Sequence, residues 1–304
     1  MGYFEHLGIL ICIYVILSAS LNIILGFTGM LNLGHVAFFG IGAYTSALLA
    51  KVLGFSWLAS LAGGVVLAGV AGLLIGIPCL RLRGDYLAIA TLGFGEIVRS
   101  LMKNWSSLTR GPLGIPGIPK PELFGFRFTD TQDFLILAIV VTSIVVFLIH
   151  RIVHSPFGRV LRAIREDEIA AQSLGKNVVR YKLFALTIGA AFAGVAGSLY
   201  AHYITFIDPT TFSFFETVLM VAMVVLGGMG SLAGSIIGAI ILVILPEPLR
   251  FIKLPTDIMA ALRDIIYSVI LILMMHFRPN GLVSEGSLRK KILHWWHRVR
   301  GVSA

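Results

Sequence analysis

Apolar and polar residues along this chain sort into long blocks rather than the short alternations of a soluble fold. Apolar runs occupy residues 7–25, 35–53, 57–77, 86–102, 134–150, 183–206, 215–226, 231–245 and 259–277. A helix rises ~1.5 Å per residue, so about 20 apolar residues cross the ~30 Å hydrocarbon core of a bilayer. The pattern predicts an all-α fold, a polytopic membrane helix bundle of about eight to ten spans. The runs at 215–226 and 231–245 are short and flank Gly227-Gly228-Met229-Gly230. Together they are too long for one crossing and cramped for two, which predicts broken or re-entrant helices. Such breaks are tolerated only where neighbouring helices or a water-filled path satisfy the freed backbone groups.

Composition supports the same solvent. The 304 residues are 57% hydrophobic and 13% charged, about half the ~25% charge of soluble domains. A net charge of +9 would fit a nucleic-acid binder only with a basic face on a soluble domain; here the basic residues fill the gaps between apolar runs, as the positive-inside rule requires. Arg151, Arg159, Arg162, Arg165, Lys176, Arg180 and Lys182 mark one cytoplasmic stretch, and Arg278, Arg289, Lys290, Lys291, Arg298 and Arg300 a cytoplasmic carboxyl-terminal tail. An even number of crossings between them is then expected, and counting back from Arg151 puts the amino terminus outside and the Arg81, Arg83 turn inside. The 103–130 segment falls outside despite Lys103, Arg110, Lys120 and Arg127. The run at 86–102 carries Glu96 and Arg99 on one helical face; if it did not cross, the amino terminus would move inside. Residues 7–25 lack the basic start of a secretory signal and read as a retained first span. Cys12 and Cys79 sit in or at the end of apolar runs and read as small buried hydrophobes. The chain divides as one transmembrane domain, 1–304: spans over 1–150, a cytoplasmic loop over 151–182, further spans over 183–277 and the basic tail, 278–304.

Enzymatic chemistry finds little footing. A phosphate-cradling loop needs Gly-x-x-x-x-Gly-Lys-Ser/Thr, and the nearest approach, Gly175-Lys176, has Ala170 for the first glycine and Asn177 after the lysine. His150 and His154 have helical spacing but no glutamate beside the first, and read as interfacial histidines rather than metal ligands. No nucleophile, base and orienting residue stand together. The polar stretch from His154 to Lys182 is the most informative. A helix-permitting segment through Glu166, Asp167, Glu168, Ile169, Ala170 and Ala171 ends at Leu174-Gly175; this pattern fits either a rigid knob for a partner's cleft or a solvated basic loop.

The residues 165–175, Arg-Glu-Asp-Glu-Ile-Ala-Ala-Gln-Ser-Leu-Gly, with Tyr181-Lys182-Leu183 and Ala193-Gly194-Val195-Ala196-Gly197, resemble the cytoplasmic loop and following span of branched-chain amino acid ABC permeases. Leu31-Asn32-Leu33-Gly34-His35, Gly40-Ile41-Gly42-Ala43-Tyr44, Gly84-Asp85-Tyr86-Leu87-Ala88-Ile89, Phe94-Gly95-Glu96-Ile97-Val98-Arg99 and Val225-Leu226-Gly227-Gly228-Met229-Gly230-Ser231 resemble the same family in order. The resemblance is to the longer of the family's two paired permeases. It implies a membrane subunit of the bacterial inner membrane working with a second permease subunit, two ABC ATPase subunits and a periplasmic substrate-binding protein. ATP and magnesium would be bound by the ATPases, with no cofactor or metal in this chain. Arg165, Glu166, Asp167, Glu168, Ala170, Ala171 and Gly175 would form the coupling-helix loop that docks on the ATPase, though Ile169 interrupts the usual Glu-Ala-Ala order. A path for a zwitterion with an apolar side chain needs a few polar groups among small residues, and the candidates are Asn22, Thr28, Asn32 and His35, with Glu96 and Arg99 as a pair. Helix capping, interhelical hydrogen bonding and a structural ion pair are the competing readings. Gly189, Gly194 and Gly197 are expected to allow close helix packing. Asp208, Pro209 and Glu216 would lie in an outer loop or re-entrant turn, either meeting the binding protein or merely solvated. Related permeases carry urea or short amides, and an ion-coupled carrier using Glu96 and His35 is the other transport reading.

Overall fold

The computed structural model describes residues 2–247 apart from 81, 83 and 124, together with 262, 265, 266, 268, 269, 272 and 281–283. Most of the expected span at 259–277 and of the basic tail lies outside the described residues. The helices are α1 (Gly2–Thr28), α2 (His35–Lys51), α3 (Trp57–Cys79), α4 (Asp85–Asn104), α5 (Ser106–Thr109), α6 (Thr131–His154), α7 (Pro156–Glu166), α8 (Glu168–Ser173), α9 (Val178–Ile204), α10 (Phe214–Gly227) and α11 (Leu232–Ile244). Among the described residues, α1, α3, α6 and α9 are long and apolar enough to cross a membrane, while α10 and α11 are shorter apolar helices. The long connection between α5 and α6 carries three short strands, and a fourth follows α9. Antiparallel ribbons join β1 (Ile115–Pro116) to β4 (Phe206–Ile207) and β2 (Glu122–Leu123) to β3 (Phe126–Arg127).

Helix α1 runs through the middle, packed on α6, α9, α10 and α11, and from Ile13 to Thr28 nearly every residue is buried. An all-apolar helix of this kind belongs in the interior of a bundle, not on its rim. A second group, α2, α3 and α9, packs against it. Its closeness rests on small residues: a Cβ on Gly194 would lie 2.8 Å from the Gly64 carbonyl oxygen, and one on Gly64 would lie 2.8 Å from that of Gly42. In lipid, where burial gives helices no drive to associate, such backbone contact is the main source of attraction. Gly189 likewise admits Ile24 and Gly197 admits the Phe39 carbonyl, so the small residues of α9 serve close packing as expected.

Two ends of the bundle can be distinguished. At one, Gln132 at the start of α6 donates to Glu5 near the start of α1 (2.9 Å), and the β1–β4 ribbon closes over the end of α9. There the His202 Nδ1–H donates to the Pro119 carbonyl (2.7 Å) and Lys51 to that of Pro116, fastening the long connection down. At the other lie α7, α8, the end of α1 and the turn between α10 and α11. Two helices do not run from end to end. α2 starts at His35, whose Nε2 meets Ser20 Oγ at 2.9 Å. Ser20 lies eight residues, or ~12 Å, above the end of α1. The extended link 29–34 therefore climbs back into the bundle before α2 begins. α10 also starts inside: Thr217 Oγ1 accepts from the Val36 N–H (3.4 Å), and Glu216 accepts from Tyr14 OH (2.9 Å) midway along α1.

The expected loop at 151–182 is shorter in the structure. Residues 151–154 complete α6 and 178–182 open α9, because arginine and lysine at a helix end reach sideways to water while the backbone stays helical.

Candidate functional site

The polar residues singled out in the first spans fall into two groups. Asn22 belongs to a clamp: its Oδ1 accepts from the Gly230 N–H (2.9 Å) and its Nδ2 donates to the Ser231 carbonyl (3.0 Å), so both ends of the amide hold the α10–α11 turn. Thr28 turns its hydroxyl back to the Ile24 carbonyl and accepts from the Met30 N–H (3.4 Å), finishing α1. These are structural roles. Asn32 and His35 differ. Asn32 Oδ1 accepts from the Gly34 N–H (3.0 Å), but its Nδ2 has no partner among the described residues and the side chain is 2% exposed. With the Ser20 hydroxyl turned to the Leu17 carbonyl (2.9 Å), the tautomer that fits has the His35 Nε2–H donating to Ser20 and a lone pair on Nδ1. That Nδ1 also has no partner, in a side chain with no exposure. Two buried polar atoms without partners among the described residues thus flank the opening turn of α2, whose cap residue Gly34 offers no side chain. Unsatisfied buried groups are rare and costly, and they mark places where something else can bind.

Glu96 and Arg99 pair as expected, with Arg99 Nη1 donating to Glu96 Oε1 at 3.4 Å. Among the described residues nothing encloses them: the side chains are 47% and 37% exposed, on the outward face of α4.

The α7–α8 segment is built as a knob. Ser155 caps α7 by accepting from the Gly158 N–H (3.4 Å), with Pro156 in the first turn. Asp167 caps α8, its Oδ1 accepting from the Ile169 and Ala170 N–H groups (2.8 and 2.9 Å). Gly175, at φ 75°, ends it in the left-handed conformation that favours glycine. Ala171 is buried against Ile164 and Val178, and Glu168 pairs with Lys182 at 2.6 Å, which fixes α8 to α7 and α9. Glu166 and Ala170 stay on the surface. Between them the knob presents Ile169, 74% exposed, and Leu174, 78% exposed. Arg165 points the other way. Its Nη1 donates to the Gly26 carbonyl at the end of α1 (2.5 Å) and to the Met229 carbonyl of the α10–α11 turn (3.3 Å). That turn is held from a third side by the Leu282 and Val283 N–H groups, which donate to the Leu226 and Gly227 carbonyls (both 2.9 Å). A cavity of about 420 Å³ opens beside Arg165, lined also by Thr28, Asp85, Glu168 and Lys182.

At the opposite end Asp208 Oδ1 accepts from the Thr211 N–H and from the hydroxyls of Thr210 and Thr211 (2.9, 3.0 and 2.8 Å). Burial pushes its carboxyl up, but these bonds outweigh it and hold the group below its ordinary value. Asp208 therefore shapes the turn into α10, while Glu216 is turned inward to Tyr14.

Ile169 and Leu174, the exposed apolar side chains of the knob, were not among the residues chosen from the sequence. Two apolar side chains in a charged loop were the available signal.

The model of a family described as the branched-chain amino acid transport system, permease component, matches residues 3–275. The chain is similar to the high-affinity branched-chain amino acid transport system permease protein LivM of Escherichia coli, 43% identical over 294 residues, covering 89% of this chain and 68% of that protein. It is 26% identical to the probable LivM of Methanocaldococcus jannaschii, covering 92% and 94%. It is also 29% identical to LivH of Salmonella typhimurium, a permease protein of the same kind of system, covering 91% and 93%. No solved structure matches.

Proposed function

The chain belongs to the family of permease components of branched-chain amino acid transport systems, and from that membership we propose that it is the membrane-spanning subunit of an ATP-driven importer that translocates branched-chain amino acids. It works in the bacterial inner membrane as one of a pair of permeases, a reading supported by its likeness to both LivM and LivH proteins. A periplasmic binding protein delivers the substrate, and two separate ATPase subunits, which bind ATP and magnesium, supply the work. The α7 end is cytoplasmic, in keeping with its arginines and lysines. On this reading the amino terminus is outside and the carboxyl terminus inside, with about eight to ten membrane segments once partial helices are counted.

The observation that carries this reading is the pair Ile169 and Leu174, held out by a capped, pinned knob while Arg165 on the same segment reaches the end of α1 and the α10–α11 turn. Large apolar side chains this exposed on a charged surface mark a docking site, here for the ATPase. Substrate passes near the start of α2, where His35 Nδ1 is placed to accept from an α-ammonium and Asn32 Nδ2, with the helix start, to donate to an α-carboxylate. The apolar side chain is left to the surrounding apolar helices. No step here needs covalent chemistry from this chain.

Changing Ile169 and Leu174 together to Asp should cut the ATPase co-purified with the permease at least about tenfold, and uptake with it. Membrane insertion should be unchanged, because both side chains point away from the bundle. Undiminished ATPase recovery would refute the docking role.

A further inference from the structure

The outward surface of the bundle is of two kinds. On α3 and α6 it is apolar, with Leu67, Leu74 and Ile77 on the first and Ile136, Ile144 and Phe147 on the second. No Asp, Glu, Lys or Arg occurs within α3, or in α6 between Asp133 and Arg151. Such faces suit lipid tails. α4 is different. It buries Leu87, Thr91, Gly95, Val98 and Met102, and turns Tyr86, Ile89, Glu96, Ile97 and Ser100 outward, with Gly93 and Arg99 half-exposed among them.

Depth makes this face informative. α4 runs alongside the start of α2: Thr91 Oγ1 accepts from the Leu33 N–H (3.0 Å), and further along, a Cβ on Gly40 would lie 2.9 Å from the Met102 side chain. Glu96 lies eleven residues from the start of a 20-residue helix, or ~16 Å along an axis of ~30 Å. The pair therefore stands about midway between the two ends of α4, away from both ends of the bundle. Arg99 and Glu96 give each other one contact, and no other partner is seen for either among the described residues. A guanidinium and a carboxylate left this open cannot face hydrocarbon without a large cost. The binding protein and the ATPase reach only the two ends of the bundle, so neither covers mid-depth.

We propose that the outward stripe of α4 is the surface on which the second permease subunit packs, with Glu96 and Arg99 at the seam, satisfied by polar groups of that subunit. The inference rests on the reading that this chain works beside a second permease. Gly93 suits such a contact, since a Cβ there would have nothing within 4 Å and the space is open to a neighbouring helix.

The test uses the complete importer in native membranes, with a photo-crosslinking residue at Ile89 or Ile97 and, as control, at Ile144. Adducts between the α4 positions and the second permease are expected, and adducts to lipid alone from Ile144. Lipid-only adducts from both α4 positions, or permease adducts from Ile144 alone, would overturn the proposal. Should a bulky probe disturb assembly, Glu96→Arg gives a second reading: about tenfold less second permease should co-purify while insertion is kept, and undiminished recovery overturns the proposal. Uptake by the unsubstituted importer, measured in parallel, keeps the two ideas apart. Transport intact with lipid-only crosslinks removes the interface alone, and absent transport with permease crosslinks removes the import reading alone.

Discussion

Asn22 shows how one side chain organises the break in the bundle. A helix interior buried in a membrane has no free backbone group to offer, yet the 227–231 turn leaves its own N–H and carbonyl groups open. The primary amide, with a donor and an acceptor at one tip, supplies both missing partners. Asn22→Ala removes them together and leaves a backbone donor buried without a partner, a loss of about 1–3 kcal/mol. The expected result is a lower melting temperature of the detergent-solubilised permease, read by thermal shift. Thr28→Val, which disturbs only the local bonds to Ile24 and Met30, should shift it far less. The sequence marked Asn22 as polar in an apolar run and so a path candidate; it could not say that both ends of the amide are engaged, because the partner lies more than two hundred positions away. Asn32 and His35, chosen on the same grounds, do keep a free group.

Among the elements, α7 is the one that joins two functions. Its outer neighbour α8 carries the exposed knob, and its last turn sends Arg165 to two carbonyls, on α1 and on the α10–α11 turn. Guanidinium donors fan out in a plane and bridge such acceptors, and the end of α1 carries the negative pole of its dipole. On the proposed reading, a displacement of α8 by a docked ATPase would pass through Arg165 to the two elements that frame the interrupted helices. Arg165→Ala should keep ATPase association, since Ile169 and Leu174 are untouched, but lower uptake per ATP hydrolysed by about tenfold. Side-by-side measurement of hydrolysis and uptake in proteoliposomes checks this; an unchanged ratio excludes the role. The knob itself was legible in the sequence, because its cap Asp167 and its terminator Gly175 are local signals. The inward turn of Arg165 was not, since in a chain read by charge it counts only as one more cytoplasmic cation. The ends of α6 and α9 were also hidden, because charged residues end an apolar run before they end a helix.

At the scale of the whole molecule, the runs of apolar residues disclosed the helices but not which faces meet, since lipid and helix neighbours ask for the same side chains. Glycine resolves this where two backbones touch. Gly194 on α9 and Gly93 on α4 look alike in sequence, each a glycine in an apolar helix. A Cβ on Gly194 would lie 2.8 Å from both the Ala68 Cβ and the Gly64 carbonyl oxygen, whereas one on Gly93 would meet nothing. Gly194→Val therefore forces α9 away from α3, which holds α2 in its partial crossing, and should cost about 1–3 kcal/mol or more through overpacking. Its expected sign is a lower melting temperature of the permease on its own. Gly93→Val should leave that temperature unchanged, because among the described residues nothing lies within 4 Å of a Cβ there. It should instead weaken recovery of the second permease, because the added methyl groups enter the gap a neighbouring helix would fill. Two substitutions of the same chemistry thus separate the inner seam from the outer one, and a Gly93 variant that melts early would place α4 against this chain rather than against its partner.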